Sequence, residues 1–149
     1  MSKVFRFVPA VLLILYLVVK VSPHIPKPNP GPGDYEPTKA QKIMLEPIQE
    51  SLEDYPGAAE KFSNLYYGMA LVVGTDEVIL KTTGEVRMAH ENAGALAIQA
   101  GEIPRIPGYA KAVNDFLSEE AGRDNVPLDA QKRKQIVEAF EALRWATSQ

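Results

Sequence analysis

The sequence predicts an all-α fold in which an N-terminal membrane-anchor helix and a proline-rich linker precede a compact bundle of about five short helices. Three observations support this prediction: an uncharged apolar run near the N-terminus, a stretch rich in proline after it, and helical spacing of apolar residues through most of the remaining chain. The three segments are residues 1–22, 23–37 and 38–149.

The apolar run extends from Phe7 to Val19 and lies between Arg6 and Lys20. Residues 4–21 would form about 27 Å of α-helix, against a bilayer hydrocarbon core of about 30 Å. The stems of the two flanking cations can reach the interface, which allows a short helix to span. We therefore predict contact with a lipid bilayer through residues 4–21, as an uncleaved, single-pass signal-anchor.

A cleaved signal peptide is the alternative interpretation of the same residues. The apolar run has a suitable length, but the cleavage site is poor because Lys20 stands close before a cut after Ser22 and Pro23 follows it. The positions of Lys and Arg around the run slightly favour a cytoplasmic N-terminus. The C-terminal domain would then be extracytoplasmic, or secreted if the leader is cleaved.

The linker, residues 23–37, contains six prolines in fifteen residues. Proline fixes φ and removes a backbone donor, so this stretch cannot form a helix or a ladder. We expect a polyproline II spacer of about 45 Å. Docking into an aromatic-lined groove is the alternative, although Gly31 and Gly33 would interrupt a docked helix of that type.

The segment 38–149 is acidic, with 12 Lys and Arg residues against 17 Asp and Glu residues, which gives −5. Nonspecific nucleic-acid binding requires neutralisation of phosphates, so we expect no nucleic-acid partner. The chain has no cysteine, which excludes a disulfide framework and thiolate chemistry. The length of the segment suffices for one hydrophobic core.

The first two predicted helices follow from caps and apolar spacing. A T-x-x-Q capping box at Thr38 begins the first helix, whose apolar positions run from Ile43 to Tyr55 with a kink or break expected at Pro47. Pro56-Gly57 ends this segment. The second helix has regular apolar positions from Ala58 to Val73 and closes at Gly74.

Three further helices are predicted by the same signals. The third begins at a capping box formed by Thr82 and Glu85 and ends at Gly101. The fourth opens at Pro107-Gly108 and stops at Gly122, and Asp129 caps the fifth. The residues expected to face inward are Val86, Ala89, His90, Ala93, Leu96, Ala97 and Ala100 on the third helix, Tyr109, Val113, Phe116 and Leu117 on the fourth, and Ile136, Val137, Phe140 and Leu143 on the fifth.

The segment from Glu77 to Thr83 does not fit the helical pattern of the rest of the domain, because it is rich in β-branched residues and could be a strand. A strand without a partner is unfavourable in a helical chain, and Asp76 and Glu77 suit the first turn of a helix. We favour a short helical turn for residues 77–83.

The third helix is rich in small residues, which would let another helix approach closely. We interpret this face as an internal packing surface rather than a ligand site. The large side chains of the second helix are expected to pack against it and against the apolar stripe of the fifth helix. The residues concerned are Ala89, Ala93, Gly94, Ala95, Ala97 and Ala100 on the third helix, and Phe62, Leu65, Tyr66 and Met69 on the second.

No catalytic, cofactor-binding or metal-ligating residue is assigned, and no cofactor is expected. His24 lies in the linker, and we expect His90 to be a partly buried helix residue with a hydrogen-bond partner. A zinc site would depend on carboxylates because the domain has one histidine and no cysteine. The sequence has neither a G-x-S-x-G motif for a nucleophile nor a glycine-rich phosphate loop.

Two classes of function remain. The first is a membrane-tethered, non-catalytic helical interaction module that faces away from the cytoplasm and binds a protein partner. The second is a small cell-envelope hydrolase that uses paired carboxylates, for which Glu85, Glu91 or Asp76 would have to meet in a pocket with one raised pKa. The anchor, the linker and the lack of a catalytic motif favour the first class, so we expect that the chain is not an enzyme.

Overall fold

The computed structural model describes residues 35–75 and 80–149. The described residues form five α-helices and no strand, which confirms the all-α fold predicted for this part of the chain. None of these helices is long and apolar enough to cross a bilayer. The predicted anchor and most of the predicted linker lie outside the described residues. The helices are α1 (Lys39–Leu52), α2 (Pro56–Thr75), α3 (Thr83–Gln99), α4 (Tyr109–Ala121) and α5 (Ala130–Thr147).

Side-chain caps set the starts of three helices, as predicted. The Thr38 hydroxyl accepts a hydrogen bond from the Gln41 N–H, and the Gln41 side chain accepts one from the Thr38 N–H. Thr82 and Glu85 form the same reciprocal box at α3. The Asp129 carboxylate caps α5 by accepting a backbone N–H at 2.7 Å. These bonds satisfy N–H groups that a helix start leaves free.

The structure narrows the prediction at one proline and corrects it at another. Of the kink or break expected at Pro47, the break does not occur, because α1 continues through this residue. α2 begins at Pro56, two residues before the first predicted apolar position. Proline suits the first position of a helix because the N–H that it lacks would have no partner inside the helix.

Residues 80–82 are extended, so the predicted helical turn is wrong for these residues, and residues 76–79 lie outside the described part of the chain. Thr82 forms an isolated antiparallel bridge with Pro127. The Leu128 N–H donates to the Lys81 carbonyl at 3.2 Å, and the Thr83 N–H donates to the Val126 carbonyl at 3.1 Å. The loop between α4 and α5 therefore supplies the backbone partners of this extended segment.

The centre of the fold is the pair α2 and α5, which pack against each other more extensively than the other described helix pairs. The helices α1 and α4 pack against each other and against α5. The predicted packing of the large α2 side chains against the α5 stripe is confirmed. The Tyr66 ring contacts the Phe140 ring across this pair of helices. The fully buried residues of the common core on these two helices include Tyr66 and Met69 on α2, and Ile136, Phe140 and Leu143 on α5.

α3 has buried core residues as far as Ala93, and beyond it Ala97 packs against the core while its neighbours are half-buried or exposed. Val86, Ala89, His90 and Ala93 are buried, whereas Ala100 is exposed. α2 meets α3 through the rings of Tyr66 and His90 rather than by close approach of the two backbones. The interpretation of the small residues as an internal packing surface is therefore correct for Ala89, Ala93 and Ala97. It is wrong for Gly94, Ala95 and Ala100.

The last residues assigned to the linker pack on the domain. Pro37 is buried, and Tyr35 packs against the hydrophobic core. The Tyr35 hydroxyl donates a hydrogen bond to the Gln41 side-chain oxygen at 3.1 Å. Residues 35–37 therefore contact the domain and do not act as spacer.

Candidate functional site

The carboxylates proposed for hydrolysis do not form a pair. The Glu85 carboxylate accepts hydrogen bonds from the backbone N–H groups of Lys81 and Thr82, and it is held there as part of the α3 cap. Glu91 is exposed, about 9 Å further along the helix axis. This finding concerns Glu85 and Glu91, because Asp76 lies outside the described residues. The capping role of Glu85 was visible in the sequence, and it competes with a catalytic role.

His90 is buried between an α2 ring and an α5 ring. Its imidazole centroid lies 5.6 Å from that of Tyr66 and 6.0 Å from that of Phe140. Neither ring nitrogen has a hydrogen-bond partner among the described residues, so the expected partner was wrong. Burial lowers the pKa of His90 to about 4, which leaves the imidazole neutral at pH 7.

The rings around His90 extend into an aromatic cluster that links α2, α3, α4 and α5. The Tyr66 hydroxyl is hydrogen-bonded to the Tyr109 hydroxyl, and Phe62 stacks on Tyr109 with centroids 4.1 Å apart. Burial raises the pKa of Tyr66 well above its ordinary value. A catalytic triad needs a hydroxyl and an acid at the imidazole, and this packed cluster presents neither to His90.

The hydroxyl groups of Ser63, Thr82 and Thr83 have structural bonds. Thr82 caps α3, and the Thr83 hydroxyl donates to the Asp124 carbonyl. The Ser63 hydroxyl lies 2.9 Å from the Ser148 hydroxyl in a hydrogen bond between α2 and the end of α5. These bonds orient the hydroxyls for packing rather than for attack on a substrate.

Three consecutive basic residues, Lys132, Arg133 and Lys134, lie in the first turns of α5, and one of them bonds to another helix. Arg133 donates a hydrogen bond to the Val73 carbonyl at 2.6 Å, so this guanidinium joins α5 to the end of α2. The Lys134 ammonium lies 3.9 Å from the Glu138 carboxylate on the surface. Such an exposed pair contributes little to stability.

A cleft of about 400 Å³ lies where the end of α1, the start of α2 and the end of α5 converge. It holds two carboxylates, which could not be paired from the sequence: Glu53 directly follows the end of α1, and Glu60 lies on α2. No group of three or more His, Asp or Glu side chains within the described residues could hold a metal ion. The lining residues are Gln49, Leu52, Glu53, Pro56, Ala59, Glu60, Ser63, Ala146, Thr147, Ser148 and Gln149.

The outer face of α3, formed by Met88, Glu91, Ala95 and Ile98, carries two of the four large apolar side chains that are exposed in the described part of the chain. Spacings of three and four residues place these side chains on one side of the helix. Met88 is 40% exposed and Ile98 is 39% exposed. Glu91 is the single charged residue among the four. In the sequence, this face was indicated by Met88 and Ile98, two large apolar residues that do not belong to the inward-facing positions of the third helix.

Small residues beside this face leave room for another molecule. A Cβ atom added at Gly94 would meet no atom within 4 Å. Ala95 is exposed on the same half of the helix. A second helix could therefore approach the α3 backbone closely at this level.

No protein-family model, curated protein or solved structure matches the chain. The function of the domain therefore has to be argued from its own residues.

Proposed function

We propose that the chain is a membrane-tethered, non-catalytic helical interaction module that binds a protein partner on the side of the membrane away from the cytoplasm. The observation that carries this proposal is the outer face of α3, on which Met88 and Ile98 remain exposed. Large apolar side chains grouped on one exposed surface are typical of interaction sites. The apolar run in residues 4–21 and the proline-rich stretch after it support a single-pass tether.

The chemistry of this face favours a protein helix over a lipid surface. Gly94 and Ala95 allow close approach of a helix, with Met88 and Ile98 as larger contacts on either side. The only charge on the face is the Glu91 carboxylate, which anionic headgroups would repel. The partner that fits is an apolar helix with a Lys or Arg side chain opposite Glu91.

A small cell-envelope hydrolase that uses paired carboxylates stays the alternative prediction. Glu85 gives it no support, because its carboxylate is bonded to backbone N–H groups at the start of α3. Glu53 and Glu60 share a cleft, but no buried acid or oriented nucleophile accompanies them among the described lining residues.

A photo-crosslinking amino acid at Ala95 in the full chain tests the proposal in native membranes. We expect a protein adduct at this position and its loss when Met88→Asp or Ile98→Asp is added. The matched control is the same probe at Ile43, which is 67% exposed on α1. These exposed substitutions should change the free energy of unfolding by about 0.5 kcal/mol or less.

Three outcomes would contradict the proposal. The probe at Ala95 could form lipid adducts only, it could form an adduct with a second copy of the same chain, or it could give the same products as the probe at Ile43. The position of the domain is tested separately by protease added outside intact cells. Protection of residues 23–34, which precede the folded domain, would show that the domain does not face away from the cytoplasm.

A further inference from the structure

We propose that His90 is an acid-sensitive latch that holds α3 on the α2–α5 core, and that its protonation releases α3 while α2 and α5 stay folded. The basis is the position of one titratable ring where three helices meet. The inference concerns the conformation of α3, and it stands whether or not the outer face of α3 binds a partner.

The surroundings of His90 accept the neutral imidazole far better than the charged one. The ring lies between Tyr66 and Phe140, and both of its nitrogens are buried without a hydrogen-bond partner among the described residues. The neutral ring leaves one N–H donor unsatisfied. The protonated ring would leave two donors and a full charge in apolar surroundings, which is much more costly.

The residues of α2 and α4 in the aromatic cluster place no negative charge at the His90 imidazole. The α2 group facing the imidazole is Tyr66, whose pKa is raised by burial, so its hydroxyl remains neutral. The α4 group in the cluster is Tyr109, and its hydroxyl is bonded to that of Tyr66. Burial is the cause of the lowered pKa of His90.

The charged groups of α3 and α5 that lie nearest in sequence to His90 and Phe140 are either bonded to other groups or exposed to solvent. From α5 the imidazole faces Phe140, which cannot titrate, and the neighbouring Glu141 carboxylate lies 3.6 Å from the Arg144 guanidinium. On α3 itself, Arg87 donates to a backbone carbonyl of the loop after α4, and Glu91 is exposed. Arg87 would repel an imidazolium, and Glu91 is in contact with solvent.

α3 can open without the rest of the domain because its contact with the core is short. Its buried residues end at Ala93, and the last six residues of the helix are exposed or half-buried. The core between α2 and α5 has its own fully buried side chains, such as Met69 and Leu143. Local opening of a weakly packed element costs less free energy than unfolding of the whole domain.

The direction of the pH effect follows from the two protonation states. In released α3 the imidazole has its ordinary pKa of 6.5, and in closed α3 the pKa is about 4. Below pH 6.5 the released form binds a proton that the closed form does not. The ratio of closed to released α3 should therefore fall about tenfold per pH unit, by about 300-fold in total, and should level off below pH 4.

The test is backbone amide exchange of the full chain in detergent micelles between pH 7.5 and 4.5, corrected for the intrinsic pH dependence of exchange. We expect the amides of residues 86–99 to lose protection below pH 6.5 while those of α2 and α5 keep it. His90→Phe should abolish the acid effect, and His90→Leu provides a second uncharged replacement. Glu91→Gln is the matched control and should leave the effect unchanged.

Three results would overturn the latch. The acid loss of protection could persist in both His90 variants, or α2 and α5 could lose protection together with α3. The third result comes from an NMR titration of the unaltered chain, in which His24 is the second imidazole signal. A His90 signal that titrates at its ordinary pKa would show that the closed state does not disfavour the proton, even if neither variant folds.

Discussion

α2 is joined to α5 at several points along its length, whereas α3 is joined to the core at fewer points. The Tyr66 and Phe140 ring centroids lie 6.3 Å apart in the middle of the α2–α5 contact. Arg133 bonds to the Val73 carbonyl toward one end, and the Ser63 and Ser148 hydroxyls are hydrogen-bonded at 2.9 Å toward the other. α2 is therefore fixed to α5 along most of its length.

α3 is held mainly at its first turns. Its start is bonded to the loop between α4 and α5 through Thr83 and Val126, and His90 provides a ring contact to the core. Beyond Ala93 its residues are half-buried or exposed. The contrast between α2 and α3 follows the size of their apolar side chains. Those of α2 are mostly large and regularly spaced, and they bury the helix, whereas half of those of α3 are alanine and leave part of the helix exposed.

The largest expected effect concerns the α2–α5 contact. Phe140→Ala removes a fully buried ring, which should lower the free energy of unfolding by about 3–5 kcal/mol. Ile98→Ala on the outer face of α3 is the matched control and should cost about 0.5 kcal/mol or less. Urea denaturation of both variants measures the difference. A loss of less than 1 kcal/mol for Phe140→Ala would mean that α5 is peripheral and that its apolar stripe is free for a partner.

A smaller effect separates local from global stability. Thr82→Ala removes the cap of α3 and should cost about 1 kcal/mol. Because α3 is held mainly at its start, we expect the loss of stability to be local. It should appear as faster amide exchange in residues 86–99, with little change in α2 and α5. Thr38→Ala removes the equivalent cap of α1 and is the matched control.

One result of the two cap substitutions would contradict the expectation that α3 opens locally. If Thr82→Ala increased exchange equally in α2, α3 and α5, then α3 would open only when the whole domain unfolds. The same result would argue that α3 belongs to one cooperative unit with the α2–α5 core.

The features that the sequence predicted well are local ones. The caps at Thr38, Thr82 and Asp129 depend on side chains that bond to N–H groups within three residues, so their chemistry is readable from a short stretch. The apolar stripe through Phe140 was equally readable, because its period of three to four residues selects one face of a helix.

The features that the sequence missed depend on distant neighbours. The extended residues at Lys81 and Thr82 pair with a loop more than 40 positions away, which carries no strand pattern. His90 was expected to have a hydrogen-bond partner, but its neighbours are rings from α2 and α5. Helical spacing placed Ala100 on the inward side of the third helix, yet no neighbouring helix covers it in the described structure.

The smallest expected effect distinguishes stability from binding at the same residue. Gly94 lies within α3, and a Cβ atom added there would meet nothing within 4 Å. Gly94→Ala should therefore raise the free energy of unfolding of α3 by about 0.5–1 kcal/mol, because alanine loses less backbone entropy than glycine in a helix. Slower amide exchange in residues 86–99 would measure this gain.

The same substitution should weaken the proposed contact with a partner helix, because the added methyl group separates two backbones that glycine lets approach. The protein adduct formed by a probe at Ala95 should fall although the domain is more stable. Gly57→Ala is the matched control, since this glycine lies in α2 and an added Cβ atom also meets nothing within 4 Å. It should leave the adduct unchanged. An adduct that persists in Gly94→Ala at full yield would show that no helix packs closely on this part of α3.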